Sequence, residues 1–158
     1  MNAKPNDSLG PTFKPATDED IETLIPLVRA LYEYDRTPFD PSAHRLTLEN
    51  LLKNDSYGKV WILQLKRETI GYVVLVFGYS LEFRGRDAII DELFIIEKYR
   101  RRGLGTRVLL FLEDMCRSHE VRALHLEVEH ANINAQAFYR KLGFIDHHRY
   151  LMTKLISD

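Results

Sequence analysis

RRRGLGT, from Arg100 to Thr106, sets three arginines ahead of two glycines spaced one residue apart, and its threonine opens an apolar helical run. Upstream, AIIDELFII (residues 88–96) reads as a buried strand interrupted only by Asp91 and Glu92. Downstream, Leu104, Val108, Phe111, Leu112 and Met115 recur at helical spacing and mark one face of a helix over about 104–117. Strand, glycine turn and helix together aim unpaired backbone N–H groups and the positive helix end at an anion. Gly103 and Gly105 let that anion approach without a Cβ in the way, and Arg100, Arg101 and Arg102 add charge. A phosphate or pyrophosphate suits such a loop. By itself the run also fits a solvated turn before a helix. Two nucleotide-binding patterns fail on spacing. A P-loop requires Lys-Ser or Lys-Thr after its last glycine, and a dinucleotide fingerprint requires a glycine where Val108 stands.

The rest of the chain bounds what that loop can belong to. Its 158 residues suffice for one domain with a genuine core. A formal net charge of −1 argues against a dedicated nucleic-acid binder. Cys116 is the sole cysteine, which excludes an intrachain disulfide and a cysteine-rich zinc site. The longest apolar run, YVVLVF (Tyr72–Phe77), is far shorter than the ~20 residues of a membrane helix, and the N-terminus has no apolar signal segment, so a cytoplasmic protein is expected. The histidines form no convincing metal set: His125, Glu127 and Glu129 share the wet face of a strand, and adjacent His147 and His148 point apart.

Residues 1–11 read as a loose, flexible tail and 12–156 as the folded domain. Thr17, followed by three acidic residues, predicts a helix start, with an apolar stripe from Ile21 to Tyr32 and Pro26 inside it. A second helix is expected over 42–53. Strands are expected at 59–66, 69–79 and 88–96, the first two as a hairpin, and at 121–129. A helix over 133–141 should stop at Gly143, followed by strands at 143–147 and 149–156. This order predicts an α/β domain with a mixed sheet.

A second constellation lies in EVEHANINAQAFYRKLGF (127–144), where Asn132, Ala135, Phe138 and Tyr139 fall at a strand-to-helix junction and Gly143–Phe144 closes the helix. Together with Arg100-x-x-Gly103-x-Gly105, it resembles the GNAT family of N-acetyltransferases, whose two acetyl-CoA signatures occur here in order and about thirty residues apart. The resemblance covers roughly residues 12–156. It implies a mixed, mostly antiparallel sheet of six to seven strands, splayed between the fourth and fifth and flanked by four helices.

The same resemblance implies roles. The backbone of Leu93, Phe94 and Ile95 would pair with the pantetheine arm of acetyl-CoA. Arg100, Arg101, Arg102, Gly103, Leu104, Gly105 and Thr106 would hold the pyrophosphate, and Asn132, Ala135 and Tyr139 would lie near the pantetheine and thioester. The implied chemistry is direct attack of a primary amine on the thioester in a ternary complex, without a metal. Tyr139 is the expected general acid. Asp91 is narrowly favoured over Glu92 as base, because it matches a glutamate that diamine acetyltransferases use in that register, and Glu127 is a third candidate. Adjacent residues on a regular strand point to opposite faces, so only one of Asp91 and Glu92 is expected to face the acceptor. Acidic residues around this strand and in the N-terminal helices suit a cationic acceptor, whereas Arg84 and Arg86 oppose a polycation. A small-molecule amine and a protein lysine or N-terminus both remain open, as does a homodimer. A catalytically silent acetyl-CoA-binding module is the alternative, and retention of Tyr139 and the acidic pair weighs against it.

Overall fold

The computed structural model describes residues 10–156, so most of the tail expected over 1–11 lies outside the described residues. The chain divides into two compact units between Glu127 and Val128.

The first unit begins with β1 (Thr12–Pro15) and a 3-10 turn (Asp18–Asp20) leading into α1 (Ile21–Asp35). The Thr17 N–H and hydroxyl both donate to the Asp20 carboxylate, at 3.0 and 3.2 Å, so the predicted helix start is tied down from its third residue. The half-exposed Lys14 ammonium completes that knot at 2.5 Å from Asp20. α1 runs through Pro26 and ends with Arg36 in the left-handed conformation, where the Thr37 N–H donates to the Tyr32 carbonyl at 2.9 Å. α2 (Pro41–Lys53) starts at Asp40, whose carboxylate accepts from the N–H groups of Ser42 and Ala43.

Next come β2 (Gly58–Leu65), β3 (Glu68–Ser80), β4 (Gly85–Ile95), a 3-10 turn at Glu97–Tyr99, α3 (Leu104–Ser118) and β5 (Ala123–Leu126). The sheet order is β1-β2-β3-β4-β5, antiparallel throughout except for the parallel β4–β5 pair. α1 and α2 cover one face, burying Leu24, Val28 and Leu48 against Val60, Ile62, Tyr72, Val74 and Phe94. α3 covers the other, where Phe111 stacks on Phe13 at 4.0 Å and meets Trp61 edge-on at 5.3 Å. Cys116 is buried on α3 as a core residue, and burial pushes its thiol up to about 11.

The second unit contains α4 (Ile133–Lys141), which ends as predicted: Gly143 adopts φ +91°, and the Phe144 N–H donates to the Tyr139 carbonyl at 3.1 Å.

The four helices stand where the sequence predicted them, but the described residues contain five strands rather than six to seven. No strand forms at 143–147 or 149–156, where Ile145, Tyr150, Leu151 and Met152 are exposed. Short runs of β-branched and aromatic residues favour extended backbone, yet a strand exists only where a neighbouring ladder takes its amides. β5 is likewise shorter than its predicted 121–129. Among the described residues, no helix is long and apolar enough to cross a membrane.

Candidate active site

Arg100 leaves the 3-10 turn in extended conformation, Arg101 turns left-handed at φ +61°, and Gly103 does so again at φ +73°. A Cβ at Gly103 would meet nothing within 4 Å, so the space in front of this residue is open. The first α3 bond runs from the Arg107 N–H to the Gly103 carbonyl at 3.3 Å. The amides of Leu104, Gly105 and Thr106 therefore precede the helical ladder and lack an acceptor one turn back. The arginine and glycine positions predicted to bind an anion thus converge on one exposed helix N-terminus.

β4 supplies the second component. Its parallel pairing with β5 runs only from Asp87↔Ala123 to Ile90↔Leu126, so beyond Ile90 the strand is bonded to β3 alone. This is the splay implied between the fourth and fifth strands. The Ile96 N–H donates to the Ile70 carbonyl at 2.8 Å, across β3. Backbone direction alternates along a strand, so Phe94 also turns its amide and carbonyl to β3, while those of Leu93 and Ile95 face the open edge.

A bulge sits where the splay begins. Leu75 pairs with Ile90 but Val74 pairs with Glu92, leaving Asp91 as the extra residue. The insertion changes which residues share a face. Ile90 lies with Leu75 on the α3 side, whereas Glu92 and Phe94 lie with Val74 and Tyr72 on the α1–α2 side. The Glu92 carboxylate accepts a hydrogen bond from the Tyr72 hydroxyl at 2.6 Å and another from the Tyr32 hydroxyl. Burial raises the Glu92 carboxyl above the ordinary carboxylate value; the two phenols pull it back, and the Asp91 charge raises it again. Asp91 is exposed by surface area, yet the protein around its carboxyl raises it too. Both carboxylates act on both tyrosines: Tyr32 is pushed up to about 12, and Tyr72 further still, by burial first and Glu92 second. The opposite-face expectation for Asp91 and Glu92 fails here, because it assumed a regular strand.

Around this carboxylate pair, Tyr32 meets His44 edge-on at 4.5 Å and Phe39 at 6.0 Å, while Phe39 stacks on His44 at 4.7 Å. The sequence reading missed Tyr72, Tyr32, His44 and Phe39. Tyr72 lay in an apolar run, and only the β3–β4 register brings it to Glu92.

Arg100 does not present its side chain as a free charge in the loop. Its Nε donates to the Ile95 carbonyl at 2.7 Å, and its guanidinium lies 4.5 Å from the Tyr34 ring centre and 5.4 Å from that of Phe94. Arg101 and Arg102 are exposed, the latter 5.7 Å from the Tyr99 ring. Glu127 is exposed just after β5.

In the second unit, the Asn132 side chain caps α4 by accepting from the Ala135 N–H at 3.1 Å. Ala135 is half-buried. Tyr139 is half-buried between Phe138 at 5.2 Å and Phe144 at 5.7 Å, and burial raises its phenol.

The sequence profile of the Acetyltransferase (GNAT) family matches residues 25–144. An uncharacterized N-acetyltransferase of Bacillus subtilis, YhfO, is 26% identical over 132 residues, covering 84% of this chain and 88% of its own. A bovine (Bos taurus) thialysine N-epsilon-acetyltransferase is 24% identical over 147 residues, covering 85% and 84%. Among solved structures, an integron cassette protein from the mobile metagenome of a salt marsh superposes with a TM-score of 0.81 at 25% identity, covering 92% of this chain and 91% of its own.

Proposed function

The chain belongs to the acetyltransferase (GNAT) family, and from that premise we propose that it transfers an acetyl group from acetyl-CoA to a primary amine by direct attack within a ternary complex. The observation that carries this reading is the β4 bulge, which gathers two carboxylates and two phenols beside a strand edge left open for a donor. The bovine relative is named for acetylating an epsilon amine, which fits the same acceptor class.

Acetyl-CoA supplies the activated acyl group. The open space before Gly103 and the unpaired amides of 104–106 suit its pyrophosphate, and the outward amides of Leu93 and Ile95, with the Leu93 carbonyl, suit its amide-rich arm. An alkylamine of pKa ~10.4 pays roughly 4–5 kcal/mol to become neutral at pH 7. A carboxylate lifted above its ordinary value is a better proton acceptor for that step than an exposed one. In this reading the amine loses a proton to the Asp91–Glu92 pair, with Glu92 the member fixed by Tyr72 and Tyr32. The nitrogen lone pair then forms the bond to the thioester carbon. The C–S bond breaks, the nitrogen gives up its second proton to the departing sulfur, and the hydrogen bond to that sulfur is the role the family resemblance gives Tyr139. A phenol near 10 is a weaker acid than a thiol near 8.5, so Tyr139 acts chiefly by hydrogen bonding to the developing thiolate.

The test is CoA thiol release with a panel of amines. Turnover with at least one primary amine, reduced at least about 100-fold by Glu92→Gln, is expected. Tight CoA binding without turnover by any amine would favour the silent binding module instead.

A further inference from the structure

We propose that His44 is a positioning residue: its ring holds the Tyr32 hydroxyl on Glu92 and bears on the amine proton only through that phenol. The inference rests on the acetyl-transfer reading above. Two phenols donate to Glu92, but they are not held alike. Tyr72 is fully buried, so packing on every side fixes its hydroxyl. Tyr32 stands half-buried on the last turn of α1, where a side chain keeps rotamer freedom unless a neighbour removes it. The charges bearing on it, Glu92 and Asp91 of β4 and Asp35 of α1, are all negative. They keep the phenol protonated and a donor, yet none of them fixes its ring.

The fixing contact comes from α2. The His44 ring meets the Tyr32 ring at 4.5 Å and 80°, the edge-to-face geometry that aromatic pairs prefer. Phe39 stacks on His44 at 4.7 Å, and the Arg29 guanidinium lies 5.2 Å from the Phe39 ring centre. His44 is itself tethered at the start of its helix. Its Nδ1 lies 2.7 Å from the Asp40 carbonyl and 3.2 Å from the Asp40 backbone nitrogen. A protonated Nδ1 donates to that carbonyl, and a bare one accepts from that N–H, so either form keeps the ring in place. This independence from protonation is what a support needs and a titrating switch lacks. Asp40 thus orients His44, His44 orients Tyr32, and Tyr32 donates to Glu92.

The test is a double-mutant cycle read on the pH profile of thiol release, at saturating acetyl-CoA and a primary amine that turns over. Loss of the support weakens a hydrogen bond that lowers the Glu92 carboxyl, so His44→Ala should displace the acid limb of kcat upward by about 0.4–1 unit. His44→Phe keeps an aromatic ring against Tyr32 and should displace it by less than half as much. In a Tyr32→Phe background, His44→Ala should add no displacement, because the hydroxyl it acts through is gone. If His44→Ala loses native circular dichroism, His44→Leu, which fills the site without an aromatic edge, takes its place with the same expectations. An unmoved limb in the folded variant would overturn the proposal. Equal displacement by His44→Phe and His44→Ala, undiminished in Tyr32→Phe, would also overturn it, because His44 would then act on Glu92 by its own charge. Both results leave acetyl transfer standing. No turnover of any amine in the wider panel would overturn the parent reading, and this proposal with it.

Discussion

Removing the Tyr72 hydroxyl tests whether Glu92 is the proton acceptor without touching either carboxylate. Tyr72 is fully buried, and its hydroxyl donates to Glu92 at 2.6 Å. A hydrogen bond to a charged group contributes about 1.5–3 kcal/mol. At 1.36 kcal/mol per pKa unit, Tyr72→Phe should lift the Glu92 carboxyl by about 1–2 units above a value that burial already raises. If Glu92 takes the amine proton, kcat at saturating acetyl-CoA and acceptor should fall on the acid side and recover at higher pH. Thiol release followed from pH 5.5 to 9 would show the acid limb displaced upward by that amount, with the plateau changed by less than about threefold. Stability moves in the same direction. A carboxyl raised in the folded state contributes stability that is fully present below its unfolded value, near 4.3, and is lost as pH rises through its folded value. Tyr72→Phe should therefore melt lower than wild type, with the gap widening as pH rises through the raised Glu92 value. An unmoved acid limb in a variant with native circular dichroism would refute Glu92 as the base. A limb displaced only by Asp91→Asn would transfer that role to its neighbour.

Tyr139→Phe should lower kcat by about 10- to 1000-fold without abolishing turnover; unchanged kcat with the fold intact removes Tyr139 from the mechanism. Gly103→Ala adds a side chain where φ is +73° and nothing lies within 4 Å, so its cost to the free protein should be only the left-handed backbone penalty of about 1–2 kcal/mol. Its effect on CoA should be larger, at least about tenfold in Kd by calorimetry, because the new Cβ enters the space assigned to the pyrophosphate. Unchanged CoA affinity would place the pyrophosphate elsewhere.

The elements whose signals are local were legible in the sequence. The apolar stripe of α3, the arginines and glycines before it, the Thr17 cap and the Gly143 stop each depend on residues within a turn or two, and each lies where predicted. What was not legible depends on which residue of one strand faces which residue of another. Alternation fixes the faces of a strand only while its ladder stays in step. One extra residue at Asp91 reverses the faces for everything after it, and no residue type in IIDELFII marks that insertion. A regular β4 would have turned Glu92 toward α3, away from Tyr72 and Tyr32, and paired one carboxylate at most with the α1–α2 face. The contacts of Arg100 were hidden for a related reason. Counted within RRRGLGT, it is one of three cations for a phosphate; its aromatic partner Tyr34 belongs to α1 and is reached only through the fold. The C-terminal segments erred in the opposite sense, since their short apolar runs were real but no ladder received them. The loop that suits the donor is thus written in contiguous residues, whereas the acceptor side is assembled from three elements by register. That is why the sequence pointed to acetyl transfer more readily than to the amine that receives the acetyl group.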